Sequence, residues 1–143
     1  MDIKSIIAGK KVETISAHAT VQELVDSLNS HHVGALVVSS DGKKIEGIVS
    51  ERDVVRAMPG KLEELISMHV RDIMTVEVRT CTENTHVSDL MKLMTDLRIR
   101  HVPVVDSEGA LLSIVSIGDV VKHYVDELDS ERLALRDYLN RAN

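Results

Sequence analysis

The sequence predicts an α/β fold (in finer terms α+β) made of two copies of one unit, each with the order strand, helix, strand, strand, helix. A seven-residue motif occurs at residues 47–53 as GIVSERD and again at residues 113–119 as SIVSIGD, 66 positions later. In each copy two apolar residues end a buried strand, and a serine follows that can cap a helix. Apolar helix positions and an apolar strand recur at nearly the same offset. We therefore interpret the chain as a tandem repeat.

Local patterns predict the elements of the first repeat. Residues 12–15 (VETI) predict a short strand. Thr20 can cap the amphipathic helix that follows it. The apolar segment 34–38 and the segment 44–49 predict a hairpin, because an Asp-Gly turn lies between them. Ser50 opens a helix that must end at the next Met-Pro-Gly sequence.

The second repeat has the same order. Segment 76–81 predicts its first strand, and 102–105 and 111–115 predict its hairpin. Pro103 has no N–H to donate, so we expect it near the start of its strand or at a sheet edge. The chain is thereby divided into a first repeat at 1–60, a linker helix at 61–69, a second repeat at 70–126 and a C-terminal helical tail at 127–143.

The last helix is predicted to continue beyond the repeat. Its apolar residues keep the spacing of a coiled-coil seam, and only Glu131 interrupts the row. Two interpretations are open: a helix that lies along its own domain, or a tail that contacts a second copy of the chain. The residues of the row are Val121, Tyr124, Leu128, Leu135, Tyr138 and Ala142.

Composition and charge exclude several classes of partner. The chain has no Phe or Trp and a net charge of -6, so we expect neither an aromatic platform for nucleic acid nor a surface for anionic membranes. No apolar run reaches the roughly 18 residues that a membrane span needs, and the N-terminus does not resemble a signal peptide. The single cysteine, Cys81, fits a reducing cytoplasm, where we expect the protein to be located.

Catalytic patterns are absent from the sequence. We find no glycine-rich phosphate loop, no nucleophile elbow and no Cys/His cluster with metal-ligand spacing. The seven histidines include the adjacent pair His31 and His32, whose side chains point in different directions on a helix. We therefore expect no enzyme activity, no required cofactor and no metal site.

One group of residues has the chemistry of an anion site. Arg100 and His101 lie where a buried strand begins, and the hairpin brings that end of the strand close to Ser116. Cationic side chains, a hydroxyl and a helix N-terminus suit a phosphate. Asp119, one turn further along the helix, can accept hydrogen bonds from a diol such as a ribose.

A structural interpretation of the two serine–aspartate pairs is equally open. The pattern Ser-x-x-acid is also a capping box, in which the serine and the acid each bond to the other's backbone N–H. Ser50 with Asp53, and Ser116 with Asp119, both fit this pattern. The motif by itself does not distinguish a cap from a binding site.

Taken together, these motifs resemble a tandem pair of cystathionine beta-synthase (CBS) domains, also called a Bateman module, over roughly residues 4–126. The two seven-residue motifs are similar to the family's Gly-x-x-Thr/Ser-x-x-Asp, and residues 100–104 (RHVPV) are similar to its basic strand. The resemblance implies two β-α-β-β-α units packed sheet to sheet as a pseudo-two-fold pair. It also implies a homodimer and a groove for an adenosine-containing ligand such as AMP, ATP or NAD(H).

The resemblance also implies roles for individual residues. Arg100, His101 and Arg52 would contact phosphate, and Asp119 would hold the ribose. The groove of Asp53 lacks cationic residues at the matching positions, so we expect Asp119 to mark the phosphate site. We expect the base to lie among aliphatic side chains. The predicted ligand-binding residues are Arg100, His101, Ser116, Asp119, Arg52, Ser50, Asp53, Val102, Pro103 and Ile114.

The function that follows is a regulatory module that senses an adenine nucleotide and signals to a protein partner that the sequence does not identify. Its alternative is a structural dimerisation module with a degenerate groove that binds nothing.

Overall fold

The computed structural model describes residues 3–60 and 62–142. Both repeats have the predicted order of strand, helix, strand, strand, helix, so the predicted fold class is confirmed. The elements in chain order are α1 (Lys4–Ile7), β1 (Thr14–Ile15), α2 (Val21–His31), β2 (Ala35–Val38), β3 (Gly47–Ser50), α3 (Glu51–Ala57), α4 (Leu62–Leu65), α5 (Val70–Ile73), β4 (Cys81–Thr82), α6 (Val87–Leu97), β5 (His101–Val105), β6 (Leu111–Ser116) and α7 (Ile117–Arg141).

Each repeat contributes one three-stranded sheet. The strand order is β1-β2-β3 in the first repeat and β4-β5-β6 in the second. Strands β1 and β2 are parallel, as are β4 and β5, whereas β2 and β3 are antiparallel, as are β5 and β6. Pro103 lies within the central strand β5, opposite Ile114 of β6. Strand β4 pairs with β5 only from Val104 onward, so the sheet is two strands wide at Pro103 and one side of the proline has no strand neighbour.

The first strand of the second repeat is shorter than predicted. Segment 76–81 was expected to be a strand, but β4 contains only Cys81 and Thr82. The chain just before it is engaged elsewhere, because the Thr75 N–H donates to the Ile48 carbonyl of the first repeat at 2.8 Å. Residues 76–80 therefore cross between the repeats instead of pairing within the second sheet.

Two short segments pack on the opposite repeat. Ile3 is fully buried in the core of the second repeat, and its N–H donates to the Thr85 carbonyl at 3.1 Å. Conversely, Val70 is fully buried in the core of the first repeat, and its N–H donates to the Ala19 carbonyl at 2.8 Å. Each core is thus completed by chain from the other half. Residues 1, 2, 61 and 143 of the four predicted segments lie outside the described residues.

Helix α7 is 25 residues long and continues well beyond the repeat, as predicted. Val120 is its only fully buried residue, and His123 and Glu127 are half-buried. Every residue from Leu128 to Ala142 is exposed. The interpretation that this helix lies along its own domain is therefore wrong for residues 128–142. None of the described helices has the combination of length and apolar character that crossing a membrane requires.

Candidate functional site

A groove of about 900 Å³ lies between the two repeats. One wall is the start of α3 with Ser50 and Asp53, and the opposite wall is the segment 98–101 that leads into β5. Residues 77–79 of the crossing segment (76–80) and the preceding Thr75 also line the groove. Because the walls come from both halves of the chain, a molecule bound in the groove would contact both repeats.

The serine–aspartate pairs are capping boxes in both repeats. The Asp53 N–H donates to Ser50 Oγ at 3.4 Å, and the Ser50 N–H donates to Asp53 Oδ2 at 2.8 Å. Ser116 and Asp119 repeat the arrangement at 3.1 and 2.9 Å. The capping interpretation is therefore confirmed for both motifs. Asp53 Oδ2 accepts from the Ser50 N–H and also from the Ser50 hydroxyl at 3.1 Å, whereas Oδ1 receives no hydrogen bond from the described residues.

Arginine dominates the charge of the groove. Five arginines line it, together with the acidic residues Glu51, Asp53 and Glu77. None of the five forms an ion pair with a described residue. Their guanidinium groups are thus available to an anionic ligand, to which they can donate paired hydrogen bonds. The five are Arg52, Arg56, Arg79, Arg98 and Arg100.

Three of these arginines were not predicted. Arg56 follows Arg52 by one helical turn, so the spacing could have placed both on one face. Arg98 ends α6 in a left-handed conformation with φ of 54°, which turns the chain toward Arg100 and the groove. No sequence pattern around Arg79 indicates a binding residue, because Arg79 reaches the groove only through the path of the crossing segment.

His101 lies where the two repeats meet. Its Cε1 atom and Glu51 Oε1 would each be 3.3 Å from a Cβ atom placed on Gly34, so the three residues are close neighbours. Burial lowers the pKa of His101 below its ordinary value. The negative charge of Glu51 partly opposes this effect, and the positive charge of Lys10 adds to it. The imidazole is therefore mainly neutral at pH 7.

The Asp119 carboxylate is engaged by a residue of the N-terminal segment. Lys10 Nζ donates to the Ile114 carbonyl at 2.6 Å and forms an ion pair with Asp119. Burial alone would raise the pKa of Asp119, but the hydrogen bonds from Lys10 and Ser116 outweigh burial, and the pKa lies below its ordinary value. No ion pair of this kind involves Asp53 among the described residues.

The predicted site residues therefore divide into two groups. Ser50, Arg52, Asp53, Arg100 and His101 line one groove. Arg100 and His101 also lie beside the second motif, as the predicted hairpin requires: His101 is opposite Ser116, and the Ile117 N–H donates to the Arg100 carbonyl at 2.8 Å. The first repeat has no cation at the positions that match these two residues, Val33 and Gly34, but Arg100 and Arg52 themselves line the groove of Asp53. The other predicted residues do not line this groove: Ile114 and Asp119 bind Lys10, Ser116 caps α7 together with Asp119, Pro103 is buried, and Val102 is fully buried in the second core. The roles of all these residues in ligand binding stay predictions.

Comparison with known proteins agrees with this architecture. A family model described as the CBS domain matches residues 3–60 and 70–126. The mitochondrial CBS domain-containing protein CBSX3 of Arabidopsis thaliana is 43% identical over 124 residues, which are 84% of this chain and 60% of that protein. The chain thus spans about three fifths of the length of this relative.

Two solved structures extend the comparison. A CBS-domain containing protein from Agrobacterium tumefaciens superposes with a TM-score of 0.82 at 36% identity, covering 87% of this chain and 99% of that one. A CBS domain protein from Pyrobaculum aerophilum, crystallised in complex with AMP, has a TM-score of 0.70 at 27% identity and covers 83% and 89% of the two chains. The repeated fold, the paired capping boxes and these matches lead to one conclusion: the chain belongs to the CBS domain family.

Proposed function

We propose that this chain is a regulatory module that binds an adenine nucleotide in the groove of Asp53 and has no catalytic activity of its own. The observation that carries the proposal is the convergence, in one groove, of a half-buried carboxylate with five arginines that have no ion-pair partner among the described residues. A phosphate requires such cationic donors, and a ribose diol suits such a carboxylate. The relative from Pyrobaculum aerophilum that is crystallised with AMP supports this ligand class.

The residues of the groove suggest how the nucleotide would lie. Arg52 and Arg100, on opposite walls, would hold the phosphate between the two repeats. Asp53 would accept hydrogen bonds from the ribose on Oδ1, because its Oδ2 is used by the cap. The aliphatic side chains of Ile48 and Ile99 also line the groove and would contact the base. AMP, ATP and NAD(H) all carry these three parts.

The regulatory part of the proposal follows from the position of the groove. A ligand that contacts both walls stabilises the arrangement of the repeats that fits it best. It shifts the molecule between arrangements only to the extent that its affinity for them differs. The module would transmit this shift within a homodimer and to a protein partner in the cytoplasm.

The site assignment predicts different effects for the two aspartates. Asp53→Ala should weaken AMP, ATP or NAD(H) binding about ten- to a hundredfold, because a lost bond to a charged group costs about 1.5–3 kcal/mol. Asp119→Ala is the matched control, since it removes the same kind of capping box, at about 1 kcal/mol of unfolding free energy, but leaves the groove intact. Isothermal titration calorimetry measures the affinities, and urea denaturation measures the stability of both variants.

Three results would change the assignment. Loss of binding in Asp119→Ala with normal binding in Asp53→Ala would move the site to the second motif. Arg100→Ala should weaken AMP binding but barely affect adenosine; equal effects on both would remove the arginine from the phosphate site. Flat titrations of the unaltered protein with all three nucleotides would support the alternative, a structural dimerisation module.

A further inference from the structure

The second half of helix α7 is not covered by any other part of residues 3–60 and 62–142, which the structure describes. Residues 128–141, which make up more than half of the 25-residue helix, are all exposed. An isolated helix of about 12–15 residues is marginally stable in water, because most helical stability in proteins comes from packing of an apolar face. A partner that covers this segment would supply that packing.

An apolar stripe runs along the exposed face of the helix. Its members lie three or four residues apart within each half of the stripe and are 47% to 70% exposed, so they form an apolar surface that no described residue covers. The stripe is interrupted only at its middle, by Glu131 and Arg132. Its apolar members are Val121, Tyr124, Val125, Leu128, Leu135, Tyr138 and Leu139.

Charge divides this part of the helix into two halves of opposite sign. Residues 126–131 contain four acidic side chains and no basic one. Residues 132–142 contain three arginines and a single aspartate. If two such helices paired in parallel, acidic would face acidic and basic would face basic. Antiparallel pairing instead brings the acidic half of each helix against the basic half of the other, and it brings the two apolar halves of the stripe together.

We propose that the exposed stripe of α7 is a docking surface for α7 of a second copy of this chain, and that the two helices pair antiparallel. The proposal names the surface for the homodimer of the proposed function and is independent of nucleotide binding. Near the middle of such a pair, Leu128 of one chain lies beside Leu135 of its partner. The start of the stripe, at Val121, lies beside the end of the partner's helix.

Charge reversal tests the pairing in the full-length protein. Arg132→Glu with Arg136→Glu should raise the dimer dissociation constant about tenfold or more at low salt, since it turns the basic half of the helix acidic. High salt should reduce the difference, because it screens the repulsion. Lys43→Glu with Lys44→Glu, in an exposed loop of the first repeat, is the control with the same change in charge. Sedimentation equilibrium measures the dimer dissociation constant of the unaltered protein and of both double variants. A double arginine variant that dimerises as tightly as the control overturns the proposal.

Crosslinking tests the orientation. The one native cysteine, Cys81, is buried, so cysteines placed on the stripe can be reacted selectively. With a short bismaleimide, an equilibrated mixture of the Leu128→Cys and Leu135→Cys proteins should give covalent dimers, and each variant alone should give few. Efficient crosslinking of Leu128→Cys to itself contradicts antiparallel pairing. A third variant, Leu128→Asp with Leu135→Asp, places charges on the stripe. A dimer that persists in this variant would assign dimerisation to the CBS domains and contradict pairing through the stripe. This outcome does not depend on whether the protein binds a nucleotide.

Discussion

Asp53 and Asp119 carry the same motif and the same capping bonds, but their surroundings differ. Asp53 lines a groove with five arginines, whereas Asp119 is paired with Lys10. Most of the difference arises from residues outside the motif, since Lys10 lies in the N-terminal segment and Arg100 precedes the second hairpin. Within the motif, Arg52 of the first copy corresponds to Gly118 of the second. At the scale of single residues, therefore, the motif determines the cap, and its neighbours determine which charged groups face the carboxylate.

His101 predicts a pH dependence of stability. Its pKa is lowered in the folded protein, so between that value and the unfolded value of about 6.5 the unfolded chain binds more protons. Protonation then favours unfolding. We expect the contribution of His101 to the unfolding free energy to be complete above about pH 6.5 and to be lost progressively as the pH falls below it.

Urea denaturation between pH 5 and pH 8 measures this effect. His101→Gln should flatten the dependence of the unfolding free energy on pH below about 6.5, because it removes the group whose pKa burial lowers. His86→Gln, at an exposed position, is the control. An identical pH profile for His101→Gln and the unaltered protein would contradict the prediction.

At the scale of elements, the contact between β3 and the two residues that precede the crossing segment, Met74 and Thr75, depends on a glycine. A Cβ atom on Gly47 would lie 2.8 Å from the Thr75 carbonyl oxygen and 2.9 Å from Met74 Sδ. The corresponding residue of the second repeat, Ser113, is buried, and its Oγ has no hydrogen-bond partner among the described residues. The same position of the motif is thus restricted to glycine in one repeat and accepts a side chain in the other.

This asymmetry predicts opposite effects for two similar substitutions. Gly47→Ala should lower the unfolding free energy by about 1–3 kcal/mol, because the backbone at Thr75 must move to admit the methyl group. Ser113→Ala should leave it unchanged or raise it by about 1 kcal/mol, since it removes a buried hydroxyl without a partner. Urea denaturation of the two variants provides the comparison. Equal losses in both would show that the close approach at Gly47 does not limit stability.

At the scale of the whole molecule, the two repeats exchange segments. The core of the second repeat contains Ile3, and the core of the first contains Val70. A unit of about 60 residues buries little surface by itself and is marginally stable. The exchange adds buried apolar area to each core and links the two repeats, so we expect them to unfold together rather than one at a time.

Ile3→Ala tests this coupling. The substitution should cost about 2–5 kcal/mol, as is typical when a fully buried isoleucine is shortened. The loss of amide hydrogen-exchange protection should appear in β5 and β6 of the second repeat, far from Ile3 in sequence, and extend to the first. Ile66→Ala, at a position that is 56% exposed, is the matched control. Protection lost only from the first repeat would refute the exchange of segments.

A feature of this structure could be predicted from the sequence where the pattern that specifies it lies within a few neighbouring residues. The order of elements, the caps at Thr20, Ser50 and Ser116, and the length of α7 were all visible in the sequence, because caps and periodicity act within a few residues. The two interpretations of α7 could not be separated, since the pattern of a buried helix face and that of a free stripe are the same. Only the exposure of residues 128–142 in the folded chain separates them.

The sequence by itself determined the duplicated fold, its family and the residue types of a nucleotide site. Tertiary structure alone decided which of those residues meet. Arg100 lines the groove of Asp53 although its carbonyl bonds the start of α7, Arg79 joins that groove through the crossing segment, and Lys10 pairs with Asp119. The physical reason is that a groove between two repeats is formed by chain segments far apart in sequence. Which charges face each other across it therefore depends on the path of the whole chain, and no local pattern records that path.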